Sequence, residues 1–285
     1  MSRPVGGVEA GGTKWVCAIG TGPDDITVGT FPTTTPDETI GRVVTFFREA
    51  GGVEAVGIGS FGPVDLARGR ITTTPKPGWA STAVAEPIRS ALGVPVAFET
   101  DVGAAAIGEL RWGAAQGQRT FCYVTVGTGI GGAAVVDGVV LHGAGHAEMG
   151  HQRIPHDLTA DAFPGSCPFH GDCWEGLASG PAVAARWGCP ATELPPDHPA
   201  WALEAGYIAA GLANITYVLM PALVIVGGGV AGRLGLLDQV RVDLVRLLAG
   251  YVPAPEVRGA GLGDRAGVLG ALALAVDVAA GPQRK

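Results

Sequence analysis

The chain has 285 residues, 47% of them hydrophobic and 16% charged, with a net charge of -7. That is enough apolar sequence to bury a sizeable core, in one large domain or two ordinary ones, and it excludes a disordered polypeptide. The acidic balance and the lack of any Lys/Arg run argue against a nucleic-acid surface.

The first residues, Met-Ser-Arg-Pro-Val-Gly-Gly, have no long apolar segment and do not read as a signal peptide. No stretch of about 18 uncharged apolar residues reads as a membrane helix, so no membrane partner is expected. Of the five cysteines, Cys17, Cys122 and Cys189 stand in apolar surroundings and read as small hydrophobes. A cytoplasmic protein with reduced thiols is the expectation.

Residues 5–10 run apolar, Gly11-Gly12-Thr13-Lys14 turns, and residues 15–19 run apolar again, which reads as strand, glycine turn, strand. The N–H groups of Gly11, Gly12 and Thr13 could cradle a phosphate with Lys14 nearby. An ordinary hairpin turn is the alternative. Gly7 and Gly12 have P-loop spacing, but Thr-Lys is in reversed order and a strand follows, so a P-loop is ruled out. Residues 39–49 show helical spacing of Ile40, Val43, Val44 and Phe47, with Gly51-Gly52 as the stop. Residues 55–59 form a short buried strand that opens into Ser60-Phe61-Gly62-Pro63. Residues 72–79, with Pro75 and Pro77, form a loop, either the rim of a small-molecule site or a plain surface connection.

Residues 94–98 read as a strand ending in Glu99-Thr100-Asp101, and helix-forming residues follow at 104–110. Asp101 therefore stands at the carboxyl end of a strand, where open α/β sheets bind ligands. The alternative is that Thr100 or Asp101 is simply an N-cap. Residues 120–126 form a strand leading into Gly127-Thr128-Gly129-Ile130-Gly131-Gly132, which matches G-x-G-x-x-G. A dinucleotide fingerprint needs a helix next. Here two apolar runs follow about an Asp137-Gly138 turn, giving a second strand, glycine turn, strand unit. Two such units point to an internal duplication. Farther on, residues 177–187 read as a helix with Pro181 in its first turn, and residues 200–219 as a long helix. Residues 223–226 form a buried strand entering Gly227-Gly228-Gly229. Helices at 234–248 and 267–280 complete the chain.

The stretch from His146 to Glu175 is dense in metal-type side chains. His151, Cys167, His170 and Cys173 have the spacing H-x15-C-x2-H-x2-C, with two-residue gaps that let one turn of chain face a single tetrahedral ion. Thiolate with imidazole suits zinc better than calcium or magnesium, and four side-chain ligands make a closed structural site. The alternatives are a polar loop without metal and a Cys167–Cys173 disulfide, which a reducing compartment disfavours. Glu148 precedes the first ligand, so a metal-braced loop would fix its place. A zinc hydrolase would need an open metal position, which a four-ligand set does not leave.

Glu9-Ala10-Gly11-Gly12-Thr13-Lys14, Thr100-Asp101-Val102 with Ala104-Ala105 after it, Val126 to Gly132, Glu148-Met149-Gly150-His151, the Cys167–Cys173 loop and Gly227-Gly228-Gly229 stand in one order. Together they resemble the motifs of the sugar-kinase family called ROK (repressor, open reading frame, kinase). The form Cys-Pro-Phe-His-Gly-Asp-Cys, with Thr72 to Trp79 upstream, resembles the bacterial fructokinase branch. The resemblance implies an α/β, actin/hexokinase-like (ribonuclease H-like) two-domain fold with duplicated strand-turn-strand phosphate motifs. It places one domain at residues 1–117 plus 264–285 and the other at 118–263. It implies ATP-dependent phosphorylation of a hexose 6-hydroxyl, D-fructose to fructose 6-phosphate, with mannose or glucose, or a non-catalytic sugar sensor, as alternatives.

By the same resemblance Asp101 matches the general base, and Glu148, His151, Gly62 and Pro63 the sugar-binding positions. Gly11, Gly12, Thr13, Lys14, Gly127, Thr128, Gly129 and Gly131 match the phosphate loops, and Gly227, Gly228 and Gly229 the adenosine side. His151, Cys167, His170 and Cys173 match zinc ligands, and Glu9 an acidic position acting on magnesium through water. ATP, Mg2+ and structural Zn2+ are the implied cofactors, and a homodimer the implied assembly. The family's sugar-sensing repressors carry a DNA-binding helix-turn-helix ahead of this fold, and the first phosphate motif here begins by Val8. One departure stands out: the family usually has Asn two residues after the base, where this chain has Gly103.

Overall fold

The computed structural model describes residues 4–281, which form two compact units. One comprises residues 4–117, Val140–His146 and residues 264–281; the other comprises Gln118–Val139 and Ala147–Gly263.

In the first unit run β1 (Val5–Ala10), β2 (Lys14–Gly20), β3 (Thr27–Pro32), α1 (Pro36–Glu49), β4 (Val56–Ser60), β5 (Val64–Asp65), β6 (Arg70–Ile71), α2 (Ala85–Leu92), β7 (Val96–Thr100) and α3 (Asp101–Trp112). In the second run β8 (Phe121–Val126), β9 (Ile130–Val136), α4 (Trp174–Ala178), α5 (Gly180–Trp187), α6 (Ala200–Leu219), β11 (Leu223–Gly227), α7 (Leu236–Leu248) and β12 (Glu256–Gly259). The short strand β10 is Val139–Val140, and the last helix, α8 (Ala266–Ala280), belongs to the first unit.

The first sheet has strand order β3-β2-β1-β4-β7, the second β10-β9-β8-β11-β12. In each, a glycine turn joins two antiparallel strands, and two further strands lie parallel to the first of that pair. The duplication read from the glycine turns is thus a duplicated sheet. Sequence explains the pattern. Parallel strands covered on both faces must be apolar almost throughout, and β1, β4, β8 and β11 are buried along nearly their whole length. Helix α1 is amphipathic instead, burying Ile40, Val43, Val44 and Phe47, with Asp37 and Glu38 in its first turn. Gly51 and Gly52, at φ +90° and +87°, end it in a conformation that side-chain-bearing residues avoid.

Several elements depart from the sequence expectation. Strand β3, helix α2 and strand β12 were not anticipated from periodicity; each is short. The helix expected at 177–187 is two, α4 and α5, broken at Ser179, whose extended backbone lets its hydroxyl accept from Ala182 N–H. Pro181 does fall in the first turn of α5. The glycine loop at 127–132 is shorter than read, because β9 already begins at Ile130. Helix α6 is long and apolar enough to cross a membrane by length and composition, unlike the expectation that no stretch would be. Most of it is buried inside the second unit, including Glu204 at 2% exposure, as in the core helix of a folded domain. All five thiols are free; Cys17 and Cys122 are buried as expected, whereas Cys189 is partly exposed.

Apart from Asp277, helix α8 is apolar throughout, and it is buried over most of its first ten residues. It meets β1, β4 and α3 where those elements have no side chain. A Cβ on Gly57 of β4 would lie 2.0 Å from the Ala271 carbonyl oxygen, and one on Gly7 of β1 would lie 2.7 Å from Val268 O and Leu272 N. A Cβ on Gly270 would lie 1.7 Å from Ala104 O of α3. The obstacle each time is backbone, which cannot swing aside. Gly57→Ala should therefore destabilise the protein by about 1–3 kcal/mol, as overpacked cores do. Gly206→Ala, inside α6 with nothing within 4 Å of the added carbon, should leave stability unchanged or raise it by up to about 1 kcal/mol. Thermal unfolding of the two variants beside the wild type checks this, and equal midpoints for Gly57→Ala and wild type would refute the packing argument.

Candidate functional site

In the first unit, Asp101 is the first residue of α3, directly after β7. Thr100 is the N-cap, its hydroxyl accepting from Gly103 N–H at 3.0 Å. Capping is thus done by Thr100, and Asp101 is placed at the strand end by it. Asp101 Oδ1 accepts from Val102 N–H at 2.8 Å.

Glu9, on β1, has its carboxylate against the start of α8, where a Cβ on Gly267 would come within 2.5 Å of Glu9 Cδ. Burial first, and then the charge of Asp101, push its carboxyl from 4.5 up to about 7, with Lys14 pulling the other way. Its Oε2 is buried and has no hydrogen-bond partner among the described residues. The glycine turn beside it is closed by Gly11 N–H donating to Lys14 O at 3.0 Å and braced by the Thr33 hydroxyl donating to Gly11 O at 2.7 Å. Gly12 has nothing within 4 Å of where a side chain would start, and Thr13 and Lys14 are exposed. The turn is rigid and open, as a phosphate cradle needs to be.

The loop at residues 72–79 is more than a surface connection. Trp79 is fully buried against Trp15 and Phe61, with ring centroids 5.4 and 5.7 Å away, and its indole donates to Thr34 O. At the other end of the loop, Thr72 N–H and its hydroxyl both donate to Pro63 O, at 2.8 and 3.0 Å. That fixes Gly62-Pro63 at the carboxyl end of β4. Two imidazoles also belong to this unit: His146, which opens the His-rich stretch in the sequence and whose Nε2 accepts from Val64 N–H at 3.0 Å, and His142, not singled out from sequence, whose Nε2 lies 2.8 Å from Glu99 Oε2.

In the second unit, the turn Gly127-Thr128-Gly129 is closed by Gly127 N–H donating to Gly129 O at 2.9 Å. Glu175 of α4 accepts from Ile130 N–H at 2.9 Å, tying that turn to the Cys/His loop. Gly131 and Gly132 lie within β9, and Met149 fills the space over Gly132. Gly228, at φ +91°, lies so close to β8 that a Cβ would stand 2.4 Å from Val126 O; Gly227 ends β11 and Gly229 is open. Both glycine loops therefore sit at carboxyl ends of neighbouring parallel strands.

His151 ends a 3-10 turn, Met149–His151, that starts directly after Glu148. The ligand atoms of His151, Cys167, His170 and Cys173 all lie within 4.8 Å of one another. Cys167 Sγ is 3.8 Å from His151 Nδ1 and 3.7 Å from His170 Nδ1, and Cys173 Sγ is 3.6 Å from His151 Nδ1. Sulfur and nitrogen on one tetrahedral zinc would stand about 3.6 Å apart, given the usual bond lengths. Paired backbone bonds between Cys167 and Gly171 make the tight turn that brings His170 round. Burial pushes the Cys173 thiol up to about 11, so ligation there would expel a proton.

Behind this loop lies a polar cluster the sequence did not reveal. Asp161, 8% exposed, accepts from the Tyr207 hydroxyl at 2.6 Å and lies 3.2 Å from Arg186 Nη2. His156 Nδ1 donates to the Asp172 carboxylate at 3.3 Å, and its Nε2 lies 3.0 Å from Asp161 O. Glu204 is fully buried nearby, and burial holds its carboxyl well above the ordinary range despite Arg186. These residues are scattered over 52 positions of α5, α6 and the loop, at no spacing that signals contact.

The ROK family model matches residues 5–278. The fructokinase of Zymomonas mobilis is 42% identical over 289 residues, covering 95% of this chain and 96% of its own. Among solved structures, a ROK hexokinase from Thermus thermophilus superimposes with a TM-score of 0.82 at 31% identity, covering 98% of this chain and 100% of its own. A ROK glucokinase from Streptomyces griseus, in complex with glucose and AMPPNP, gives a TM-score of 0.78 at 29% identity, with 96% and 99% covered. Duplicated sheets, paired glycine turns and a match that runs almost end to end leave one conclusion: the chain belongs to the ROK family.

Proposed function

We propose that this protein is an ATP-dependent hexose kinase that prefers D-fructose and yields fructose 6-phosphate. The observation that carries the reading is Asp101, set by a capped helix start at the carboxyl end of β7, in a family whose member from Zymomonas mobilis is a fructokinase. The Streptomyces griseus relative binds glucose and an ATP analogue, which supports a hexose and ATP as the substrates here.

On this reading Asp101 accepts the proton of the sugar 6-hydroxyl while that oxygen attacks the γ-phosphorus and the bond to ADP breaks. Glu148, His151, Gly62 and Pro63 bind the sugar. The amides of Gly11–Thr13 and of Gly127–Gly129 hold the phosphates, with Lys14 beside the first, and Gly227–Gly229 take the adenosine. Backbone donors fixed in advance need no reorganisation as charge develops on the phosphoryl oxygens. Magnesium, when bound with the nucleotide, neutralises phosphate charge; the orphaned buried Oε2 of Glu9 fits a partner that brings its own water donors. Zinc suits the donor set of His151, Cys167, His170 and Cys173, where its part is structural: it braces the turn that carries Glu148.

Asp101→Asn should bind sugar as before and lose about 10²-fold or more of kcat. Steady-state kinetics with Mg-ATP check this, and an unchanged kcat would remove Asp101 from the mechanism.

One zinc per chain is expected by elemental analysis of protein purified without chelator. Chelation, or Cys167→Ala, should lower both thermal stability and activity, since Glu148 and His151 lose their brace. Protein that is fully active without zinc is the contrary result.

For the sugar, kcat/KM for fructose should exceed that for glucose by at least about tenfold, or roughly 1.4 kcal/mol of differential transition-state binding. A site built for particular hydroxyls leaves its own polar groups unpaired with the wrong ring. A coupled ADP-release assay over fructose, mannose and glucose decides it, with equal or reversed ratios counting against fructose.

A further inference from the structure

The segment Val140–His146 belongs to the first unit, although its chain neighbours on both sides belong to the second. It carries two imidazoles that the proposed function does not use. Glu99 Oε1 accepts from Thr100 N–H at 2.7 Å and from the Thr100 hydroxyl at 3.1 Å, and Glu99 Oε2 lies 2.8 Å from His142 Nε2. A carboxylate gathering these donors takes the ring's Nε2–H. Four residues on, His146 Nε2 accepts the amide proton of Val64 at 3.0 Å. Val64 follows Pro63, whose carbonyl is held from the other side by Thr72. The two places gripped are the carboxyl ends of β7 and β4, which are parallel neighbours. Ligands of open α/β sheets bind at such ends.

Gly103 fits the same arrangement. A Cβ at that position would lie 2.6 Å from Glu99 Oε1 and 2.7 Å from its Cδ and Cγ. Any side chain at 103 would drive Glu99 away from His142 and Thr100. The Glu99 carboxylate thus occupies the space beside α3 that the usual amide would enter.

We propose, resting on the reading of this chain as a hexose kinase, that Val140–His146 is a specificity strap. His142 and His146 are positioning residues: they set the ends of β7 and β4, and through Asp101, Gly62 and Pro63 they set which hexose is accepted. Neither ring is required to transfer a proton or to touch the sugar.

The test compares full-length wild type with His146→Ala, His146→Gln, His142→Ala and Gly103→Ala. Kinetic constants are measured for fructose, glucose and mannose, together with KM for ATP and the thermal midpoint. Glutamine carries an oxygen to about the place of Nε2 and can accept from Val64 N–H; alanine cannot. His146→Ala should raise KM for the preferred hexose about tenfold and flatten the preference among sugars, with KM for ATP within about twofold of wild type. His146→Gln should bring both readouts back to within about threefold. Gly103→Ala should reproduce the loss of preference seen in His142→Ala, because either change releases Glu99. Unchanged sugar KM and preference in His146→Ala would overturn the strap. So would alanine and glutamine variants that lose sugar and ATP affinity equally, with lowered midpoints, which is general damage. Wild type that phosphorylates no hexose refutes the kinase reading itself; wild type that does so, with variants of unchanged preference, refutes the strap alone.

Discussion

Backbone against backbone is the contact on which the first unit depends. Helix α8 lies on β1 and β4 and against α3 at places where Gly7, Gly57, Gly108 and Gly270 leave no side chain between main chains. Such closeness sets carbonyl and Cα atoms directly against one another, with Val268, Leu269 and Leu272 of α8 buried beside them. It fixes distances more tightly than a layer of leucines would, because carbonyl oxygens and Cα atoms have no rotamers to relax into. The consequence reaches the candidate site. The start of α8 meets the Glu9 carboxylate at Gly267, and α3, held against α8, begins with Asp101. The carboxylates of Glu9 and Asp101 are therefore mounted on elements packed backbone to backbone.

The second unit repeats the sheet and not the helix packing. Its core is built from large side chains, with Trp174, Leu177, Ile208 and Leu212 fully buried under β8 and β11. Small residues there serve a different end: Gly228 and Gly150 bring loops against strand carbonyls of Val126 and Ile130. A Cβ on Gly150 would stand 1.8 Å from Ile130 O, so the turn bearing Glu148 and His151 is pressed onto the strand that follows the glycine loop. With Glu175 reaching Ile130 N–H from α4, the candidate sugar turn, the glycine loop and the Cys/His loop become one rigid body within that unit.

What was legible in the sequence follows from the same physics. Glycine turns between apolar runs are local signals, and both strand-turn-strand units were read from them. The Cys/His set was legible because a two-residue gap is itself a geometric statement. Helix α2 was not, since Ala85–Leu92 makes barely two turns and buries only Ala85 and Ile88. The break at Ser179 was hidden because apolar spacing runs through it, while the cap that breaks it is one hydroxyl. Least legible were the pairs that tertiary structure alone creates. Glu99 with His142, His146 with Val64, and Asp161 with Arg186 and Tyr207 are separated by 25 to 82 positions. Gly103 illustrates the limit well. From sequence it is a missing amide, and only the structure shows the Glu99 carboxylate standing in that space.

Glu9 shows how such a site stores energy. Its carboxyl is raised from 4.5 to about 7, so the folded chain holds that proton more tightly than the unfolded one. The stability this gives is present below pH 4.5 and is lost as pH rises through about 7, for a total of about 3 kcal/mol. At neutral pH the protein therefore carries a partly ionised acid whose buried Oε2 has no donor among the described residues, beside Asp101 of like charge. Anything that supplies donors or positive charge at that point recovers part of the loss, and the recovery appears as affinity. On the proposed reading that partner is the hydrated magnesium that accompanies ATP, and the same cation would lower the proton affinity of Glu9. On the same reading Asp101 receives its proton only as the sugar oxygen loses electrons to phosphorus, when the hydroxyl has become acidic enough to release it. Burial thus leaves Glu9 an acid whose ionised form a cation would stabilise, next to the carboxylate that the proposed reading makes the base.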